Sequence, residues 1–600
     1  MRARLARQAC ETCRKRKVRC DSDPSQCSNC RQLGLTCEYS SERRKRGPKP
    51  RTGFGTDVTH VSETIPPPSP QSVVRSGSVL GEAEAEERGH SVGSPLATSS
   101  RPLRYTHNPL QPPQSPFGFS PRTDGGTPRI RFAPEPDHRP LQVHQSLTAA
   151  LEALGLPIED TVLNCIDKHI LWSFPSSPVI HPSTLRQHIR LLLPCSSYLF
   201  EPSAEEAQTD AAHSPHGLKV RAFTLLTSIC ALVACRTRRS SMEVRVDPSL
   251  APFLAASRNM LSCFEDWDVS HADSSSLVIR TCHSAAFHHL GQTKKSWYVL
   301  GDALRLAMDM RLYDESSYEG LEPLEAKLRK NLFISLTMSD QSASVLNNRP
   351  LVFHEMYLDE AAVNPVNIRD ELSLLGPDER HYEPPYERQL HEGFYLAHRL
   401  WSIVTDILVD LKTLTRLYTR AGCEIPSQDP VQMGIMRSYM DFCGMLDALP
   451  SWLRNPDTHN AANDAATLHQ RQTFWHQRAN IVLTYHCLRL ILLRRAMEKG
   501  FCSLLGLTDN PDMLALRKIE IARDLAAAAT NTPFEALQAN GEPLVEKLRQ
   551  VGVSLLEVVH QSENATVSSR AQSFLSTIID IIARLDSRVS DELSGPLRPE

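Results

Sequence analysis

Residues 10–37 read CETCRKRKVRCDSDPSQCSNCRQLGLTC, with cysteines at positions 10, 13, 20, 27, 30 and 37. The spacing C-x2-C-x6-C therefore occurs twice, offset by 17 residues. Thiolate-bound zinc in a structural site is tetrahedral and takes four ligands. One ion would leave two of these cysteines over, and two separate ions would need eight. Six thiolates satisfy two ions only if two sulfurs bridge, and the repeat suggests equivalent positions for that pair, most simply Cys10 and Cys27. The residues around the motif support metal over disulfides. Met1–Arg7 has no apolar core of a secretory signal, which points to an intracellular protein, and clustered thiols there read as ligands.

The two halves differ between their cysteines. The first insert is Arg14-Lys15-Arg16-Lys17-Val18-Arg19, the second Arg31-Gln32-Leu33-Gly34-Leu35-Thr36. One face is expected to meet a polyanion and the other to pack. Like charges this close oppose an isolated helix, so metal has to hold it. Downstream comes a basic tail that includes Arg43, Arg44, Lys45, Arg46, Lys49 and Arg51. Residues 1–51 hold 15 Lys/Arg against 5 Asp/Glu, whereas the rest of the chain holds 51 against 64, so a near-neutral total of −3 conceals a small polycation. Such an end seeks phosphate.

Residues 52–140 contain 15 prolines among many Ser, Gly and Thr. They are expected to form a disordered linker, because too little apolar surface is available to offset chain entropy. The prolines also forbid a sustained heptad there. From about 145 the pattern turns helical: Leu147, Leu151 and Leu154; Leu300, Leu304 and Ala307; Leu483, Cys487, Leu490 and Ile491; Phe574, Ile578 and Ile581. Irregular connections are expected near 200–216, 366–386 and 454–464, and two helical lobes fit a region of this size. The longest apolar-leaning run, 222–235, is short for a membrane span.

The cysteine pattern resembles the fungal zinc binuclear cluster, the two-zinc, six-cysteine DNA-binding domain of fungal transcription factors. The resemblance implies two Zn2+ ions bridged by Cys10 and Cys27, one completed by Cys13 and Cys20, the other by Cys30 and Cys37. Pro24 stands where the family places a proline. The resemblance further implies a helix in the major groove, where Lys or Arg reads guanine. Lys17 occupies the position that usually reads bases, with a CGG-like triplet as target. Arg16 is the second candidate, while Arg14 and Arg19 are assigned to phosphates. Arg43, Arg44, Lys45 and Arg46 are read as a nuclear-import signal, a DNA-contacting arm, or both. A similar Lys-Arg-Gly-Pro-Lys tail in some maltose- and starch-pathway activators hints at carbohydrate control.

Several later segments resemble the fungal-specific regulatory domain that accompanies the cluster. These are Phe174-Pro175 to His181-Pro182, Leu225 to Leu232, Trp297 to Ala307, and Arg329 through Phe333, Asp340 and Ser344 to Arg349-Pro350, with Ile334 replacing a usual tryptophan. No H-E-x-x-H, G-x-S-x-G, Walker or G-x-G-x-x-G motif is present, so no catalytic residue is assigned. Cys282-His283 and His288-His289 read as packed residues on a helix rather than ligands.

The expectation is a mainly α protein. A small two-zinc six-cysteine cluster domain (1–39) is followed by a basic tail (40–51), a Pro/Ser-rich linker (52–144) and a large all-α regulatory domain (145–600). It is read as a nuclear, non-enzymatic, sequence-specific regulator of RNA polymerase II transcription, an activator, with a transcriptional repressor as the alternative. Its partners are double-stranded DNA, co-regulators or the transcription machinery, and a small-molecule effector in the helical domain. No membrane is involved, and it acts as a monomer or homodimer. The alternatives are a helical enzyme or ligand-binding protein with a nucleic-acid tether, and an RNA-binding scaffold.

Overall fold

A computed structural model describes residues 10–16, 20–21, 23, 25–38, 138–201, 215–237, 247–354, 372–376, 384–421, 429–458 and 465–585. The chain divides into two units, Met1–Asp124 and Gly125–Glu600. No strand occurs among the described residues. Within the first unit the described helices are two single turns, α1 (Glu11–Lys15) and α2 (Ser28–Gln32). The expected linker up to residue 137 lies outside the described residues.

The second unit is helical from Arg139. Its first element, α3 (Arg139–Ala153), begins six residues ahead of the expected edge at 145, because Pro140 sits in the first turn. A proline is tolerated there, since that N–H has no partner inside the helix. Leu147 and Leu151 are buried, but Leu154 is 41 % exposed, which corrects its assignment to the core face. The helix has ended by that point, and Leu154 only caps it.

Next come α4 (Ile158–Trp172), α5 (Pro182–His188), α6 (Pro215–Arg236), α7 (Leu250–Ser270), α8 (Ser274–His289), α9 (Thr293–Asp309) and α10 (Pro323–Asn347). The remainder is α11 (Pro384–Ala421), α12 (Pro430–Gly444), α13 (Ser451–Arg454), α14 (Ala465–Lys499), α15 (Pro511–Thr530), α16 (Phe534–Gln561) and α17 (Ala565–Arg584).

Helix α6 explains the apolar run at 222–235. Over 22 residues it is long and apolar enough to cross a membrane, yet 83 % of its apolar window is buried inside the protein. A helix apolar all round belongs at the centre of a large core. Its hydroxyls return to the helix itself: Thr224 to Val220 O (2.7 Å), Thr227 to Phe223 O (2.8 Å) and Ser228 to Leu225 O (2.7 Å). No polar atom of these three is then left without a partner at the packing faces.

Two apolar cores lie in this unit. One gathers α3 to α10 around Phe174, Phe200, Phe223, Phe253 and Phe333. The other gathers α11, α12 and α14 to α17 around Trp401, Phe442, Leu488, Leu548 and Leu575. Residues of α10, α11 and α14 enter both, which joins the two cores into one body. Leu300, Leu304, Ala307, Leu483, Cys487, Leu490, Ile491, Ile578 and Ile581 are buried as their spacing requires.

Candidate metal centre and nucleic-acid interface

Among the described residues of the N-terminal unit there is no apolar core in the ordinary sense. Its buried cluster is Cys10, Cys13, Cys27 and Cys30, each fully inaccessible, with Cys20, Leu35 and Cys37 packed against it. The backbone repeats as the spacing does. Cys10 immediately precedes α1 and Cys27 caps α2, and each has the second cysteine of its half one turn later. In both halves the later N–H donates to the earlier sulfur: Cys13 N to Cys10 Sγ at 3.4 Å, and Cys30 N to Cys27 Sγ at 3.4 Å.

The chain is closed by backbone contacts from the far end. Glu11 N donates to Glu38 O (2.8 Å), the Thr12 hydroxyl donates to Thr36 O (2.7 Å), and Cys27 N donates to Cys37 Sγ (3.2 Å). Gly34, at φ +61°, turns the chain back so that Leu35 N reaches Cys30 O at 2.9 Å. A side chain there would meet a conformation that favours glycine. Asp21 holds the start of α2 by accepting from Ser28 N.

The sulfur geometry suits tetrahedral zinc. A Zn–S bond of about 2.3 Å requires tetrahedral S···S edges of about 3.8 Å. The observed separations are 3.7 Å for Cys10–Cys27, 3.7 Å for Cys10–Cys30 and 3.6 Å for Cys13–Cys27. Two quartets have ligand atoms that all lie within 4.8 Å of one another, Cys10/Cys13/Cys20/Cys27 and Cys10/Cys27/Cys30/Cys37. They share Cys10 and Cys27.

The thiols titrate apart. The Cys13 N–H and neighbouring thiols bring Cys10 down to about 6, while desolvation pushes Cys13 up to about 12 and also raises Cys27 and Cys30. Four sulfurs this close cannot all be thiolates without a cation between them.

Lys15 and Arg16 are exposed at the end of α1. Lys17 and Arg19 lie outside the described residues, as do Pro24, Arg43, Arg44, Lys45 and Arg46, and for Arg14 only the backbone is described. The basic helix expected over 14–19 is thus described only to Lys15, with a turn at Arg16. The expectation that the second half packs is corrected: Arg31, Gln32, Leu33 and Gly34 are all exposed, Leu33 by 51 %. Among the described residues of this unit the sulfur cluster takes up the interior, and Leu35 of the second insert packs against it.

In the helical body, Cys282 and His283 are buried. Burial raises the Cys282 thiol to about 12, and His283 is lowered to about 3 by burial and by Arg258 and Arg280. The His283 Nε2 pairs with the Ser257 hydroxyl at 2.8 Å. Among the described residues no metal-competent group includes them.

Spacing did not reveal a buried ionic knot that ties α6, α7, α8 and α10 together. Asp268 accepts from Arg221 Nε (2.7 Å) and Arg280 NH1 (2.5 Å); Arg221 also reaches Asp273, and Ser274 at the start of α8 donates to Glu325. Its members are up to 104 positions apart in sequence, and only Asp273, three residues before Ser276, announces itself as a helix cap.

Residues 8–46 match the family model of the fungal Zn(2)-Cys(6) binuclear cluster domain. A citrinin biosynthesis transcriptional activator of Monascus ruber is 56 % identical over 41 residues, 7 % of this chain and 8 % of that protein. An arabinolytic transcriptional activator of Emericella nidulans is 33 % identical over 124 residues, 21 % of this chain and 14 % of that protein. A Zn(2)-C6 fungal-type transcription factor of Fusarium oxysporum f. sp. lycopersici is 22 % identical over 368 residues, 58 % of this chain and 35 % of that protein. The chain thus spans well under half the length of these relatives. The matched domain binds two zinc ions through six cysteines, and the sulfur quartets above are able to hold them.

Proposed function

We propose, from the fungal Zn(2)-Cys(6) binuclear cluster domain that residues 8–46 carry, that this chain is a sequence-specific DNA-binding regulator of RNA polymerase II transcription. The observation that carries the reading is the pair of sulfur quartets sharing Cys10 and Cys27, beside an exposed cationic turn at Lys15 and Arg16. In this reading Cys10 and Cys27 bridge the two zincs, Cys13 and Cys20 complete one, and Cys30 and Cys37 complete the other. The zincs act structurally, as a crosslink that lets adjacent cations share one helix.

Lys17 and Arg16 then face base edges in the major groove, and Arg14 and Arg19 set the register on phosphates. Arg43, Arg44, Lys45 and Arg46 extend the contact along the backbone and direct import into the nucleus. The helical body, entered at Arg139, is the regulatory part. It takes a small-molecule effector and meets co-regulators or the transcription machinery, and it performs no catalysis.

Two of the three relatives are transcriptional activators by name, one of citrinin biosynthesis and one arabinolytic, which supports an activator of a biosynthetic gene cluster or of carbohydrate utilisation. The protein binds as a monomer with its basic tail, or as a homodimer through the helical body.

The test is fluorescence anisotropy on duplexes that contain or lack CGG. Lys17→Ala is expected to abolish the preference, about 1–3 kcal/mol of discrimination, while salt-sensitive non-specific binding largely survives. An equal loss on every sequence would remove Lys17 from base reading. Selection from random duplexes then gives the triplet, the half-site spacing and the stoichiometry together.

A further inference from the structure

Between the two apolar cores of the helical body lies a cleft of about 1040 Å3, walled by α4, α6, α7, α8, α9, α10, α11, α14 and α16. Its size is that of a site for a small organic molecule. What distinguishes it is an excess of hydrogen-bond donors over acceptors.

Lys547 is 5 % exposed, and its ammonium donates to Asn480 Oδ1 at 2.8 Å with no carboxylate in contact. Arg236 is partly buried at the end of α6. It gives NH1 to the Ser173 hydroxyl at 2.8 Å and lies over the Trp172 ring, while its Nε has no partner. His169 is 3 % exposed and both of its ring nitrogens are unpartnered. All three side chains line the cleft.

Two carboxylates also line it, Glu542 and Glu546. Glu546 is already held by Arg549, at 2.8 Å and 2.5 Å, and by Gln550 at 2.9 Å. Buried cations without a counter-charge are costly, and in folded proteins they are paired or meet a ligand. Burial accordingly lowers Lys547 to about 8 and Arg236 to about 10.

We propose that this cleft binds a small organic oxyanion, a carboxylate or phosphate, seated on Lys547 and Arg236 with His169 as a further donor. The body of the ligand would lie against Trp172, Leu300 and Trp401. This deepens the effector reading above and rests on it; it does not rest on DNA binding.

The experiment is thermal unfolding of the zinc-loaded 600-residue chain at fixed ionic strength. The probes are inorganic phosphate, citrate, hexanoate and phenylacetate, each matched by sodium chloride, with hexanamide and phenylacetamide as neutral counterparts. A ligand that binds only the folded state raises Tm in a saturable way. At least one anion is expected to do so while its amide does not, with half-saturation weakened tenfold or more in Lys547→Met and in Arg236→Met.

Methionine replaces a buried unpaired charge with an apolar chain of similar length, so each variant should fold. If either does not, the anion-against-amide comparison on the wild type still decides. Equal shifts from an amide and its acid would keep an effector cleft but overturn its anion preference. No saturable shift from any anion, or unchanged saturation in both variants, would overturn the anion site. None of these outcomes bears on recognition of CGG.

Discussion

Asp340 shows how one side chain can hold a turn together at a cost. It is fully buried in α10, and its Oδ2 accepts from both Val352 N and Phe353 N at 2.8 Å, just past Arg349-Pro350. Its other oxygen has no partner, and burial raises the carboxyl from 3.8 to about 6. Because the folded value lies above the unfolded one, the folded state holds its proton longer. Asp340 therefore subtracts stability progressively as pH rises from about 4 to about 6, roughly 3 kcal/mol in full. Asp340→Asn keeps an oxygen for the two N–H groups and discards the charge. Denaturant unfolding should show it at least as stable as wild type at pH 7, with a flatter profile between pH 4 and 6. Asp340→Ala, which strands both N–H groups, should lose about 1–3 kcal/mol at pH 7. At the cluster, Cys20→Ala removes one thiol of one quartet; metal analysis is expected to fall below the two zincs per chain of the wild type, with loss of specific DNA binding. A wild-type stoichiometry of one zinc would refute shared ligands. Asp340 was visible in the sequence as part of a resemblance, but its role was not, because its partners are backbone groups that carry no residue signature.

At the scale of elements, α11 and α14 cross with no room to spare. A Cβ on Gly393 would lie 2.0 Å from Gln477 Oε1 and 2.2 Å from its Cδ. Gln477 in turn donates to Pro175 O (2.6 Å) and Leu390 O (2.7 Å), which fastens the loop after α4 to both helices. Gly393→Ala must therefore displace Gln477. It is expected to cost about 1–3 kcal/mol in chemical denaturation, whereas alanine at Gly434, inside α12 with open space around it, should stabilise by up to about 1 kcal/mol through helix propensity. Helical periodicity found the faces of α9, α14 and α17, since Leu304, Leu483 and Ile578 recur at helical spacing and are fully buried. It could not find the crossing at Gly393, because a close approach leaves only a missing side chain as its sign. Nor could it find the Arg221–Asp268–Arg280 knot, whose members sit on three helices and look like surface charges when read in order. The break in α16 is a similar case. Gly541, at φ 58°, leads into Pro543 where the helix passes His289. A proline inside a helix marks an interruption, but what faces it is a matter of tertiary packing.

The whole chain consists of two units stabilised by different means. In the described part of the N-terminal unit sulfur stands where a core would be, and the described helices are two single turns. A segment as short as the described residues 10–38 usually needs metal or disulfides, and among the described residues every cysteine is free. The helical body has two apolar cores of its own, and among its described residues no metal-competent group occurs. This difference explains why one end was legible residue by residue and the other only by class. Metal ligation forces a fixed spacing onto the sequence, whereas apolar packing accepts many sequences and leaves only periodicity. It also separates the two units experimentally. Chelation by o-phenanthroline should release two zincs and abolish binding to CGG-containing duplex, while far-UV circular dichroism changes little, because α1 and α2 are five residues each against helices of up to 38 residues in the body. The main thermal transition should stay within a few degrees of its zinc-loaded value. Restoring zinc should restore binding with unchanged salt dependence, since the number of phosphate contacts is set by the refolded cations. If the main transition instead collapses on chelation, the body depends on the cluster for its stability, and a metal-folded reader attached to a self-sufficient regulator would have to give way to a single cooperative protein.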